Sequence, residues 1–136
     1  MSLIGHALKA AKIYYDTKTF NHAMRVAANV AENPLIPMSL LDNCIALAIM
    51  HDLWEDTEYP KDALFMEEYL SNCLDVLTKD ADQGYIEYID LIKKCSDKMP
   101  EVYWVKIADM KDHLCQTDTL TEKLKKKYLV ALAHLL

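Results

Sequence analysis

A chain of 136 residues with 52% hydrophobic content has the size of one compact domain, spanning 1–136, with enough apolar mass to bury a core. Its formal charge of −6 argues against a nucleic acid polymer as partner, since such binding needs a basic surface, and no run of about 18 uncharged apolar residues offers a membrane span. Two glycines and four prolines among many Leu, Ala, Lys, Glu and Met leave little for strands, so the expectation is an all-α, compact bundle of six to eight helices in a cytoplasmic protein.

The first predicted helix runs from about Leu3 to Tyr15 and sets Leu3, Ala7, Ala10, Ala11 and Tyr14 on one stripe. Thr17 or Thr19 is placed to cap a second, ending near Ala31, with Phe20, Ala23, Met24, Ala27 and Val30 inward and His22 at the edge of that face. Glu32-Asn33-Pro34 stops it. Ser39, with Asp42 three residues on, has the form of a capping box for a third helix, whose run Cys44-Ile45-Ala46-Leu47-Ala48-Ile49 reads as buried on every side. A turn at Thr57-Glu58-Tyr59-Pro60 precedes a fourth helix through Leu64, Phe65 and Tyr69 into Leu74, Val76 and Leu77, with Ser71-Asn72 as a place for a break or bend. Beyond the polar loop from Asp80 to Gly84, Tyr85, Ile86, Ile89 and Ile92 mark a further amphipathic helix, and Pro100 suits the first turn of the next. The last helix, about Leu120 to Leu135, carries Leu124, Tyr128, Ala131 and Leu135 on one face. Cys44, Cys73, Cys95 and Cys115 are scattered without a Cys-x-x-Cys pair and read as reduced core thiols.

The chemistry concentrates in Met50-His51-Asp52-Leu53-Trp54-Glu55-Asp56-Thr57, where His51, Asp52, Glu55 and Asp56 put four ionisable groups within six residues at the end of the third helix. A helix carboxyl end carries partial negative charge, so three carboxylates gathered there call for a positive partner, and a divalent metal would serve. On a continuing helix His51 and Glu55 share one side and Asp52 and Asp56 a neighbouring one, which lets one pair bind metal while the other handles protons.

In the helix starting at Pro100, Val102, Val105 and Asp109 fall on one apolar stripe, so a carboxylate points inward. Buried and unpaired it would cost several kcal/mol; a metal or the nearby Lys106 would satisfy it. With His22 and His51-Asp52 it completes a set of two imidazoles and two carboxylates from three helices, suited to Mn, Fe, Zn or similar ions and leaving positions for water.

The order His22, His51-Asp52, Asp109 resembles the H…HD…D signature of the HD-domain metal-dependent phosphohydrolases. More specifically, His51-Asp52-Leu53-Trp54-Glu55-Asp56-Thr57 is similar to the HDxxEDT segment of the hydrolase domain of RelA/SpoT-type enzymes and their small stand-alone relatives, which degrade (p)ppGpp. The similarity extends to Phe20-Asn21-His22-Ala23-Met24-Arg25-Val26-Ala27, to Val76-Leu77-Thr78-Lys79 and to Val105-Lys106-Ile107-Ala108-Asp109, together about Phe20 to Leu114. The resemblance implies a helical HD fold holding one divalent ion through His22, His51, Asp52 and Asp109. Mn is the expected ion, with Fe, Zn, Co, Ni or Mg able to take its place.

The same resemblance makes Glu55 and Asp56 the carboxylates that act on the attacking water and the phosphate. It implies removal of the 3′-pyrophosphate of ppGpp or pppGpp to give GDP or GTP and pyrophosphate. The alternatives are phosphate release from another nucleotide, such as a nucleoside monophosphate or NADPH, or a non-catalytic metal-containing nucleotide-binding module. Where the family continues after its Asp to a His-Asn, this chain reads Met110-Lys111-Asp112-His113, with His113 at the Asn position. The glycine-containing basic loop before the first His is replaced by the short Tyr15-Asp16-Thr17-Lys18-Thr19. Lys18, Arg25, Lys111 and His113 are left as the candidate substrate contacts for a small nucleotide.

Overall fold

The computed structural model describes residues 1–61 and 66–136. Among those residues every regular element is helical: α1 (Leu3–Tyr14), α2 (Thr17–Glu32), α3 (Met38–Met50), the single turn α4 (Leu53–Asp56), α5 (Glu68–Leu77), α6 (Tyr85–Cys95), α7 (Pro100–Cys115) and α8 (Glu122–Leu135). The all-α expectation holds. No described helix is long and apolar enough to cross a membrane.

Two helices organise the rest. α3 packs against α1, α2, α5 and α7, and α7 packs against α2, α3, α5, α6 and α8. The sequence explains why: from Cys44 to Met50, α3 buries every residue except the half-buried Ile45, and α7 buries Val102, Val105, Ile107, Ala108 and Met110. Leu47, Ile49, Leu53, Leu74, Leu77, Ile89, Ile92 and Leu135 complete a core of fully enclosed side chains. Removing such surfaces from water is the main force holding the bundle.

Local details depart from the expected ones. Asp16, not Thr17 or Thr19, caps α2, its carboxylate accepting the Thr19 N–H at 2.8 Å. The Ser39/Asp42 capping box does not form, because the helix begins earlier, with Pro37 at the N-cap and its carbonyl accepting from Leu40 N–H at 2.9 Å. At the end of α1 the buried tyrosine is Tyr15, while Tyr14 faces solvent. α5 passes through Ser71-Asn72 without interruption, and Leu64 and Phe65 lie outside the described residues. α8 starts two residues after Leu120, once Thr121 has capped it. Of the four cysteines, Cys44 and Cys73 are core thiols, but Cys95 is half-buried and Cys115 exposed on the outer side of α7.

Candidate metal centre

The centre begins where α3 ends. His51 caps that end and Asp52 (φ −99°, ψ 0°) turns the chain into α4, so the continuing helix expected through Asp56 is broken at the two candidate ligands. No proline or glycine causes the break. The last carbonyls of a helix lack partners, and here side chains take them: His51 Nδ1–H donates to the Ala48 carbonyl at 2.6 Å, and the Tyr15 hydroxyl to the Ile49 carbonyl at 2.6 Å. Beyond it, Asp56 N–H donates to the Asp52 carbonyl at 2.9 Å and the Thr57 hydroxyl to the Leu53 carbonyl at 2.6 Å, closing the turn that carries Glu55 and Asp56. The bond that ends α3 also assigns the His51 tautomer. With the proton on Nδ1, the Nε2 lone pair of the neutral ring faces the interior.

His22 on α2 is held the same way. Its Nδ1–H donates to Asp112 Oδ2 at 2.7 Å, and Asp112 is itself gripped by Arg25 through Nε at 2.9 Å and Nη2 at 3.0 Å. Its Nε2 lies 2.8 Å from Asp109 Oδ1 and 3.8 Å from Asp52 Oδ2. His51 Nε2 lies 3.2 Å from Asp52 Oδ2 and 3.2 Å from Asp109 Oδ1. All four sequence-predicted ligands therefore meet, although Asp109 is 87 residues from His22 and 58 from His51. Around an ion with bonds of about 2.1 Å, neighbouring donor atoms sit about 3 Å apart, so this spacing suits a divalent cation. Imidazole nitrogens and carboxylate oxygens are also the right donors for a first-row ion. Each imidazole carries the outer hydrogen bond that fixes a ligating ring.

Lys106, the rival partner for Asp109, turns out to be compatible with the cluster rather than opposed to it. Its Nζ donates to Asp109 Oδ2 at 2.8 Å and leaves Oδ1 to the imidazoles. Both groups are buried, Lys106 at 7% and Asp109 at 4% exposure. Burial alone would raise the Asp109 pKa, but the Lys106 and His51 charges outweigh it and hold the carboxyl well below its usual range. For His51, burial favours the neutral ring, yet the Asp52 and Asp109 charges push its pKa up to about 10. His22 is raised for the same reason, the Asp109 bond overcoming its burial. The carboxylates thus demand positive charge between them, which protons supply in the absence of a metal.

Glu55 and Asp56 stand at the solvent-exposed rim. Partial burial still withdraws water from Glu55 and raises its pKa against the pull of Lys106; its carboxylate accepts the Lys79 backbone N–H. Asp56 is raised by the same desolvation and by repulsion from Asp52, with attraction from His51 opposing. Both acids therefore feel the charges of the cluster.

The four candidate substrate contacts separate. Lys18 is exposed one turn before His22 on α2. Arg25 is committed to Asp112, with its side chain 42% exposed. Lys111 lies on the opposite side of α7 from Asp109, where it lines a cavity of about 590 Å³ with Asn29, Trp104, Ile107, Cys115 and Leu132. None of the clustered His and Asp side chains lines that cavity. His113 does join the centre, its Nε2 3.3 Å from Asp109 Oδ1. The residue sequence reasoning missed is Asp112, which enters there only within the stretch Met110-Lys111-Asp112-His113 and is given no role. The available signal was its spacing: three residues after Asp109, it lies on the same side of α7, opposite the His22 and Arg25 side of α2.

Fold and cluster together define an all-α protein with His/Asp groups whose donor atoms lie within 4.8 Å of one another and suit a metal ion. No protein-family model matches the chain, and no curated protein matches it.

Proposed function

We propose that the protein is a metal-dependent phosphohydrolase of the HD type acting on a phosphorylated nucleotide, with (p)ppGpp as substrate and the 3′-pyrophosphate as the group removed. The observation that carries the proposal is the convergence of His22, His51, Asp52 and Asp109, from α2, the α3–α4 junction and α7, beside the two rim acids of the His51–Thr57 segment. A divalent ion held there would acidify a water nucleophile and offset charge on the phosphoryl oxygens.

The chain's own groups supply the rest. Asp112 and the Ala48 carbonyl keep the two imidazoles in the ligating tautomer. Glu55 and Asp56, on one helical turn next to Asp52, accept and relay the proton released as water oxygen bonds to phosphorus. The ester bond to the ribose 3′ oxygen breaks, and that oxygen takes up one proton, which balances the hydrolysis. Lys18 offers a positive charge to the outer phosphates from the first turn of α2.

The test is incubation of purified protein with Mn²⁺ and ppGpp, following pyrophosphate and GDP. Release by the wild type and its loss in a Glu55→Gln/Asp56→Asn variant is the expected result. Phosphate release from nucleoside monophosphates or NADPH, with ppGpp untouched, refutes the substrate. Metal binding without turnover of any nucleotide refutes the catalytic reading.

A further inference from the structure

The metal-centre reading leaves His113 unexplained. It sits one turn after Asp109 on α7, and helical side chains lean back toward the amino end, which lays its ring over Asp109. Two aromatic rings stack against that ring. Tyr128 of α8 does so with centroids 4.8 Å apart and planes at 4°, and His22 at 4.5 Å and 30°. These contacts restrict the ring, and its Nε2 lies 3.3 Å from Asp109 Oδ1.

That oxygen is already approached by His22 Nε2 at 2.8 Å and His51 Nε2 at 3.2 Å. A carboxylate oxygen has two lone pairs, so three imidazole nitrogens exceed what hydrogen bonding to it can satisfy. The donor atoms of His22, Asp109 and His113 also lie within 4.8 Å of one another, as do those of His22, His51 and Asp52. The two trios share His22.

We infer that His113 is a third imidazole ligand of the centre, so that the set is His22, His51, His113, Asp52 and Asp109. The inference rests on the metal-centre reading above. Its consequence is selectivity: each nitrogen donor added to an oxygen-rich set favours Fe, Co, Ni or Zn over Mn or Mg, because imidazole suits the former and carboxylate the latter. With three imidazoles against two carboxylates, the site is built for the nitrogen-preferring ions.

The experiment is a competition titration of chelator-stripped protein with Co²⁺ and with Mn²⁺, alongside the visible spectrum of the Co²⁺ form, for wild type, His22→Asn, His113→Asn and His113→Ala. Far-UV circular dichroism checks that each variant is folded. The expected result is that His113→Asn weakens Co²⁺ binding by about tenfold or more, weakens Mn²⁺ binding less, and alters the Co²⁺ spectrum. Added imidazole should restore the spectrum of His113→Ala, which a purely stacking role would not allow. His113→Asn with wild-type Co²⁺ affinity and spectrum, while His22→Asn loses both, overturns the role of His113 and leaves the metal centre standing. A wild type that takes up neither ion overturns the centre itself.

Discussion

Replacing Asp112 by Asn tests the centre at a residue that touches neither ion nor substrate. Asp112 Oδ2 accepts from His22 Nδ1 at 2.7 Å and Arg25 Nη2 at 3.0 Å, and Oδ1 accepts from Arg25 Nε at 2.9 Å. An asparagine keeps only one of the two acceptors. If its carbonyl stays toward His22, the amide meets the Arg25 Nε–H donor to donor; if it flips, the amide donates to Nδ1 and drives the proton onto Nε2, the wrong tautomer for ligation. A charge-assisted bond is lost in either case, worth about 1.5–3 kcal/mol. Loss of a carboxylate behind a ligating histidine costs about 10–100-fold in metal affinity, equivalent to about 1.4–2.7 kcal/mol, so the two magnitudes agree. The assay is Mn²⁺ and Co²⁺ affinity by calorimetry, with thermal unfolding of the metal-free protein, where a shift of roughly 5–12 °C is expected. Arg25→Gln is the control: it removes the fork but leaves the His22 bond, and should cost clearly less affinity. Affinity of Asp112→Asn within about twofold of wild type would refute the role of the outer carboxylate.

Tyr69→Phe removes the hydroxyl that donates to Glu101 Oε1 at 2.7 Å, leaving a carboxylate with 1% exposure dependent on Asn43 Nδ2 at 3.2 Å; denaturant unfolding should show a loss of about 1–3 kcal/mol. Leu47→Ala opens a cavity at the fully enclosed centre of α3 and should cost about 2–5 kcal/mol in the same measurement. The pH dependence follows from His51. Its pKa, up to about 10 in the metal-free fold from 6.5, contributes stability that is complete below pH 6.5 and lost as pH rises through about 10. Metal loading near pH 8 should therefore displace about one to two protons from His22 and His51, read as buffer-dependent calorimetric heats; uptake with no proton release contradicts the assignment.

The helices, the inward placement of Asp109 and the His51-Asp52 pair were legible because each depends on short-range spacing. Val102, Val105 and Asp109 share a helical stripe whatever surrounds them, and the adjacent His51-Asp52 announces itself at the end of an apolar run. What escaped depends on contacts between distant segments. The break after Met50 is made by Tyr15, 34 residues from Ile49, and by a histidine bonding back to its own helix, neither of which has a sequence signature. Asp112 is polar by type and is buried only because Arg25 and His22 reach it from α2. Asp16 and Thr17 are both good caps, and the backbone chose the earlier one. In sequence, Lys106 and a metal read as rival partners for Asp109. The structure gives Asp109 one oxygen for each.

Charge balance ties these features to the proposed chemistry. Asp52, Glu55, Asp56, Asp109 and Asp112 gather five carboxylates around the centre, whereas among the described residues only Lys106 and Arg25 pair with them as fixed cations. The formal deficit of three charges is part of the chain's net −6, so the metal-free cluster repels a polyphosphate and instead draws protons onto His22 and His51. A divalent ion replaces those protons, returns the imidazoles to their ligating form and cuts the local deficit to a single charge. Metal uptake and substrate acceptance are on this reading one electrostatic event. A phosphate-bearing ligand should accordingly bind the loaded protein far more tightly than the stripped one, and raised salt should weaken that binding.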